Sequence, residues 1–173
     1  QRQMCIRDRY DVSAISDDDT TANTLAENAS SGAAVGITAA ASDSDGTTNT
    51  ITYSLSSNPG NLFAIGSSSG IVTLSSTGSL SLDYETATSH TIEVTATSAD
   101  ASTSTASYDI AVTDVDEFDV TTPTDGNDAT NEIDENADAG TVGITASASD
   151  ADGTTNKVTY SLISDDDGNF AID

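Results

Sequence analysis

Apolar side chains alternate with threonine and serine over several short stretches of the chain. Ile51, Tyr53 and Leu55 point to one side of an extended chain, while the Thr and Ser residues between them point to the other. A period of two predicts β-strands with one buried face. Three further stretches share this alternation, around Val35/Ile37/Ala39, Ile92/Val94/Ala96 and Tyr108/Ile110/Val112.

Glycine and proline separate these stretches and predict where the chain turns. The predicted turns lie at Asn58-Pro59-Gly60, Gly66, Gly70 and Gly78. Two short apolar segments between them, 63–65 and 71–74, predict further strands. About seven short strands in about 100 residues, with no helical period, predict an all-β fold, a Greek-key immunoglobulin-like β-sandwich.

The later part of the chain repeats the earlier part at a distance of about 107 residues. Tyr10-Asp11-Val12 corresponds to Phe118-Asp119-Val120, and the five residues from Val35 are identical to the five from Val142. The repeat predicts one complete domain over 10–117 and a second, truncated domain over 118–173. Because the second copy has no counterpart of the later strands, we expect it to be unstable on its own.

Residues 1–9 differ in composition from the rest of the chain. They contain three of the four basic residues together with the only Cys and the only Met. The segment reads like a translated sequencing adapter, and the repeat begins at Tyr10, so we predict that residues 1–9 are not native to the fold. The remaining chain has no Cys, which excludes disulfides and thiolate metal ligands there.

The charge balance narrows the range of partners. The chain has 29 acidic and 4 basic residues, a formal net charge of −25, which disfavours binding to nucleic acid. A high charge with few aromatic residues is also typical of disorder, but the regular alternation favours a folded chain. The expected partners are therefore cations.

Many of the acidic residues fall in short motifs. The motifs are Glu27-Asn28 and its copy Glu135-Asn136, Asp43-Ser44-Asp45-Gly46 and its copy Asp150-Ala151-Asp152-Gly153, Leu82-Asp83-Tyr84-Glu85, and Asp114-Val115-Asp116-Glu117. Calcium takes six to eight oxygen ligands, and closely spaced carboxylates supply several of them. Taken singly, a motif could also be an Asp-Gly turn, a solvated strand face or a charged linker. The runs Asp17–Asp19 and Asp165–Asp167 are interpreted as solvated surface.

In this order the four motifs resemble the cadherin repeat, in the version found as tandem cadherin-like repeats of large bacterial surface proteins. The resemblance implies Ca²⁺ ions between successive sandwiches. At the junction within this chain it implies these ligands: Glu27, Asp83, Glu85, Asp114, Asp116, Glu117, Asp150, Asp152 and Asn156. For the junction with a preceding repeat it implies Asp43, Asp45 and Asn49. Asp100 lies two residues beyond the family's late aspartate position and is not assigned as a ligand.

The resemblance also implies a function, which is calcium binding by an extracellular repeat that supports cell adhesion, including homophilic adhesion. Calcium would make the junction between repeats rigid. The expected partners are calcium, neighbouring repeats of the same chain, and another adhesin or cell-surface molecule. The expected location is extracellular or at the cell surface, as part of a larger secreted or membrane-anchored protein.

An alternative is an accessory spacer or a carbohydrate-binding repeat of a secreted enzyme. Sugar-binding loops usually present exposed aromatic side chains, and this chain has no Trp. No enzymatic activity is predicted for the chain itself. His90, the only histidine, is interpreted as an exposed strand residue, because no local sequence indicates a catalytic triad.

Overall fold

The computed structural model describes residues 9–165 and 168–173. It divides into two compact units, unit 1 up to Val115 and unit 2 from Asp116 to Asp173. Of the predicted non-native segment, only Arg9 lies within the described residues, and of the run Asp165–Asp167 only Asp165 does. No helix within these residues has the length and apolar character needed to cross a bilayer.

The regular secondary structure of the chain is almost entirely β-strand, as its alternation predicts. Unit 1 contains the strands β1 (Ser16–Asp17), β2 (Thr24–Ala26), β3 (Ala34–Ala40), β4 (Ile51–Ser57), β5 (Phe63–Ile65), β6 (Ile71–Leu74), β7 (Ser89–Ser98) and β8 (Thr103–Thr113). Two single-turn 3₁₀ helices, Pro59–Asn61 and Gly78–Leu80, connect strands. Unit 2 contains β9 (Thr124–Asp125) and β10 (Ala146–Ser147).

The strands of unit 1 form two four-stranded sheets, in the orders β1-β3-β6-β5 and β2-β8-β7-β4. The sheets enclose one apolar core, which confirms the predicted sandwich. Val94 of β7 and Ile110 of β8 have no exposed surface, and the residues between such positions face outward. Tyr53 and Leu55 are only half-buried, because β4 is an edge strand with a neighbour on one side.

Unit 2 repeats the local hydrogen bonding of unit 1. In unit 1, Asp17 pairs with Ala39 and its Oδ1 accepts a bond from the Thr38 amide at 2.9 Å. In unit 2, Asp125 pairs with Ala146 and accepts a bond from the Thr145 amide at 3.1 Å. The Ala41 and Ala148 amides likewise donate to the Tyr53 and Tyr160 hydroxyls, at 3.0 and 2.8 Å. The repeat in the sequence is therefore also a repeat in local backbone structure.

The irregular part of β3 depends on a glycine. The pairing of β3 with β6 shifts register between Ala34 and Thr38, and Gly36 lies in this shift with φ of +81°. A Cβ at Gly36 would collide with the carbonyl oxygen of Ala22. Its repeat counterpart Gly143 has φ of +79°, so both copies require the same left-handed backbone.

We expect Gly36→Ala to destabilise unit 1 by about 2 kcal/mol, because the substitution adds both backbone strain and a collision. Urea denaturation without calcium measures this loss. Gly46→Ala is the control, since a Cβ at Gly46 meets no atom within 4 Å, and its effect should stay below about 0.5 kcal/mol. Equal stabilities for the two variants would contradict the account.

Candidate metal centre

One group of carboxylates in unit 1 is organised around Glu27. Glu27 follows β2 directly and is 4% exposed. Its Oε2 accepts a hydrogen bond from the Tyr84 amide at 2.6 Å, and its Oε1 accepts one from the Val115 amide at 2.7 Å. Oxygen atoms of Glu27, Asp83 and Glu85 lie within 4.8 Å of one another. We call these three residues the Glu27 cluster.

A tight turn positions Asp83 and Glu85 in this cluster. Asp83 Oδ1 accepts a bond from the Glu85 amide at 3.1 Å, and Oδ2 accepts one from the Thr86 hydroxyl at 2.6 Å. The Thr86 hydroxyl bond is the main reason that the pKa of Asp83 lies below its ordinary value, and burial opposes it. The preceding Leu82 is buried in the core and anchors the turn to the sandwich. The sequence Leu-Asp-x-Glu thus joins a core anchor to two outward carboxylates.

A second group in unit 1 consists of Asp43, Asp45 and Asp100, whose carboxylate oxygens also lie within 4.8 Å of one another. We call it the Asp43 cluster. Asp43 Oδ1 accepts a bond from the Asp45 amide at 2.9 Å, and the Ser98 hydroxyl donates to Asp43 Oδ2. This motif turn brings the two carboxylates together at the end of the β7–β8 hairpin.

Asp100 belongs to this cluster, although it was not assigned as a ligand from the sequence. The amide and hydroxyl of Ser102 donate to its Oδ1 at 2.8 and 2.7 Å, and the Arg9 Nε lies 2.9 Å from its Oδ2. The Ser102 amide bond is the main cause of a pKa below the ordinary aspartate value, with Arg9 contributing less. The positive φ of Ala101, +71°, closes the hairpin and returns Asp100 toward Asp43. The register of the β7–β8 hairpin, with Thr97 opposite Thr103, places Asp100 in the connection between the two strands.

Unit 2 contains a third group, formed by Asp116, Asp150 and Asp152, which we call the Asp152 cluster. Asp152 is 2% exposed, and its Oδ1 accepts bonds from the Glu117 and Phe118 amides at 3.1 Å each. Asp150 Oδ1 accepts a bond from the Asp152 amide at 3.1 Å, which reproduces the turn between Asp43 and Asp45. The buried aspartate is thus held by the start of its own unit.

Two of these carboxyl groups influence each other. A side-chain hydrogen bond with Asp152, and then the charge of Asp152, raise the pKa of Asp116 above its ordinary value. Burial works against ionisation of Asp152, but the Glu117 and Phe118 amides keep its pKa below its ordinary value. The pair therefore shares negative charge unequally, with Asp152 the more readily ionised partner.

The remaining predicted ligands flank these groups. Asp114 directly follows β8 and is half-buried, while the Glu117 side chain is exposed. Asn156 is exposed on the loop that follows Asp152. All of the predicted ligand side chains are oxygen donors, which is the chemistry that calcium requires.

The fold and these carboxylate groups define a class of protein, a β-sandwich repeat with acidic clusters at its ends. A family model described as the cadherin domain matches residues 21–113. The chain therefore belongs to the cadherin family, and the resemblance seen in its motifs is confirmed. Cadherin domains are extracellular adhesion modules rather than enzymes.

Solved structures agree on the fold. Mouse cadherin-23 repeats EC22-24 match with a TM-score of 0.68 and 25% identity, over 92% of this chain and 51% of that chain. The protocadherin γB4 extracellular domain matches with a TM-score of 0.65 and 23% identity, over 85% of this chain and 22% of that one. Human protocadherin-24 EC1-2 matches with a TM-score of 0.61 and 22% identity, over 90% of this chain and 67% of that chain. This chain thus spans only about half of the cadherin-23 structure and about a fifth of the protocadherin γB4 structure. No curated protein matches it.

The unequal pair in unit 2 predicts a pH response that NMR titration of the carboxyl carbons can measure. Asp116 should titrate above, and Asp152 below, the ordinary aspartate value of about 3.9. The Asp116 proton is bound more tightly in the folded state, so its stabilising effect is present at acid pH and is lost as the pH rises through its folded pKa.

Asp152→Asn should return the pKa of Asp116 toward its ordinary value, because the two largest causes of the shift, a hydrogen bond and a negative charge, come from Asp152. Asp128→Asn, a change at an exposed acid in the same unit, should leave it unchanged. An Asp116 titration that is the same in both variants would contradict the pairing.

Proposed function

We propose that this chain is a calcium-binding cadherin repeat segment in which calcium makes the connection between successive repeats rigid. The observation that carries the proposal is the Glu27 cluster. Three carboxylates lie within 4.8 Å of one another in a chain of net charge −25. Two negative charges about 4 Å apart repel by about 1 kcal/mol even in water, and more where water is excluded. A bound divalent cation removes this repulsion.

The proposed ligands form two sets. One set serves the connection between the two repeats: Glu27, Asp83, Glu85, Asp114, Asp116, Glu117, Asp150, Asp152 and Asn156. The other is the Asp43 cluster, which gains Asp100 as a third carboxylate and would face a preceding repeat. We place the repeats at 10–117 and 118–173, the second of them a partial copy, and leave residues 1–9 outside the native fold.

The ligand carboxylates are pre-organised before an ion binds. Backbone amides hold the Glu27 and Asp152 carboxylates in fixed positions, so less conformational entropy is lost when an ion is bound. The turn at Asp83 directs two further carboxylates toward Glu27. Calcium supplies the positive charge that connects these groups. Loss of the ion leaves repelling carboxylates, which favours a flexible connection.

The biological role that we propose is support of cell adhesion, including homophilic adhesion, at the cell surface or in the extracellular space. The chain would act within a larger secreted or membrane-anchored protein. Its neighbours would be similar repeats, and its partner another adhesin or cell-surface molecule. The family is one of adhesion modules, and we propose no catalytic role for this member.

Isothermal titration of the full chain with calcium tests the proposal. We expect binding with Kd of about 10⁻⁴ to 10⁻³ M, the range of extracellular calcium modules. Asp83→Asn/Glu85→Gln should remove the sites that contain the Glu27 cluster, and Asp43→Asn/Asp45→Asn should remove only the site at the other end.

Asp18→Asn/Asp19→Asn is the matched control, because it removes two charges from a loop outside the three clusters. It should leave the number of bound ions unchanged. If it lowers calcium binding as much as Asp83→Asn/Glu85→Gln does, the chain attracts calcium only through its net charge and the assigned sites are wrong.

A further inference from the structure

The loop between β2 and β3, residues 27–33, contains the single Asn-x-Ser/Thr sequence of the chain, Asn28-Ala29-Ser30. This tripeptide, with any residue except proline in the middle, is the acceptor for asparagine-linked glycans in secreted proteins. The cadherin family is extracellular, so a chain of this family meets the first requirement for such a modification. Because so short a sequence also occurs by chance, its structural context decides whether a glycan fits.

The loop presents both side chains of the acceptor to solvent. Asn28 and Ser30 are exposed, whereas Glu27 before them is buried and Ala29 between them packs partly against the core. An asparagine-linked glycan replaces one hydrogen of the carboxamide nitrogen, so the folded chain accepts it only where that group reaches solvent. Asn28 meets this condition on an otherwise anchored loop.

The backbone of the loop is fixed on both sides of the acceptor. The Ala29 amide donates to the Ala26 carbonyl at 2.9 Å, and the Gly32 amide donates to the Leu74 carbonyl at 2.8 Å. Neither bond uses the side chain of Asn28 or of Ser30. A glycan on Asn28 therefore leaves the hydrogen bonds that order the loop intact.

The second repeat contains the same turn without the acceptor sequence. Asn136 corresponds to Asn28 and is exposed, and the Ala137 amide donates to the Asp134 carbonyl at 3.0 Å. Asp138 stands where the first repeat has Ser30, so the hydroxyl that the acceptor sequence requires is missing. The two repeats thus differ as acceptors by one side chain and not by their backbone.

We propose that Asn28 is the attachment site of an asparagine-linked glycan, one residue from the Glu27 cluster. The donor is an oligosaccharide linked to a lipid diphosphate. Transfer forms a bond between Asn28 Nδ2 and C1 of the first sugar and breaks the bond between C1 and the diphosphate oxygen. The carboxamide proton is lost and the lipid diphosphate is released. The proposal rests on extracellular location and not on calcium binding, so either can fail without the other.

Secretion of the full chain from a cultured animal cell, behind a cleavable leader, tests the proposal. Mass spectrometry should find one glycan, on the peptide that contains Asn28. An amidase that cleaves the bond between glycan and asparagine should remove it and leave position 28 deamidated. Translation with microsomal membranes gives the same measurement for any variant that is not secreted.

Variants of the two turns give matched comparisons. Asn28→Gln and Ser30→Ala should each abolish the modification, and Ser31→Ala, which removes the next hydroxyl, should preserve it. Asp138→Ser completes the acceptor sequence of the second repeat and should add a second glycan, at Asn136. A glycan at Asn136 in this variant, with none at Asn28, would overturn the assignment.

Urea denaturation with and without enzymatic removal of the glycan tests whether the folded loop accepts it. The two forms should have equal midpoints, because Asn28 is exposed and its side chain makes none of the bonds that fix the loop. A midpoint that the glycan lowers would overturn the conclusion that this loop is built to carry one.

Discussion

The buried carboxylate of Glu27 connects three separate parts of unit 1. It lies in the turn after β2, and it accepts backbone hydrogen bonds from Tyr84 and from Val115. A buried charge is costly unless it is hydrogen-bonded, and two short amide bonds offset that cost. The position of Glu27 therefore fixes the Asp83–Glu85 turn and the segment that leaves the sandwich. The acidic end of the unit depends on this one side chain.

In the other two acidic clusters, backbone amides also hold a carboxylate in place. Asp152 is buried against two amides, and Asp100 is held by the amide and hydroxyl of Ser102. Backbone donors can hold one carboxylate, but they cannot neutralise several that lie together. Each cluster is therefore ordered by the protein and still electrostatically unfavourable, a condition that a bound cation relieves. This is the physical link from an acidic repeat to the calcium-dependent connection that we propose.

Much of the fold could be predicted from the local pattern of apolar, polar and glycine residues. Alternation predicted the long strands β3, β7 and β8, and the glycines predicted the turns, because these features depend on nearby residues. Burial of Glu27 could not be predicted, since its partners Tyr84 and Val115 are 57 and 88 residues away. Asp100 was missed for a related reason. Its place beside Asp43 depends on the hairpin register and on the left-handed Ala101, neither of which spacing within one motif reveals.

Terbium luminescence can report on the Glu27 cluster, because Tyr84 stands between Asp83 and Glu85 in the sequence and a nearby tyrosine sensitises a bound lanthanide. We expect saturable terbium emission on tyrosine excitation, and added calcium should displace the terbium and remove the emission. Tyr84→Phe should remove most of the emission with calcium affinity unchanged, and Glu27→Gln should weaken both. Emission and affinity that are unaffected by Glu27→Gln would contradict the claim that this buried carboxylate organises the site.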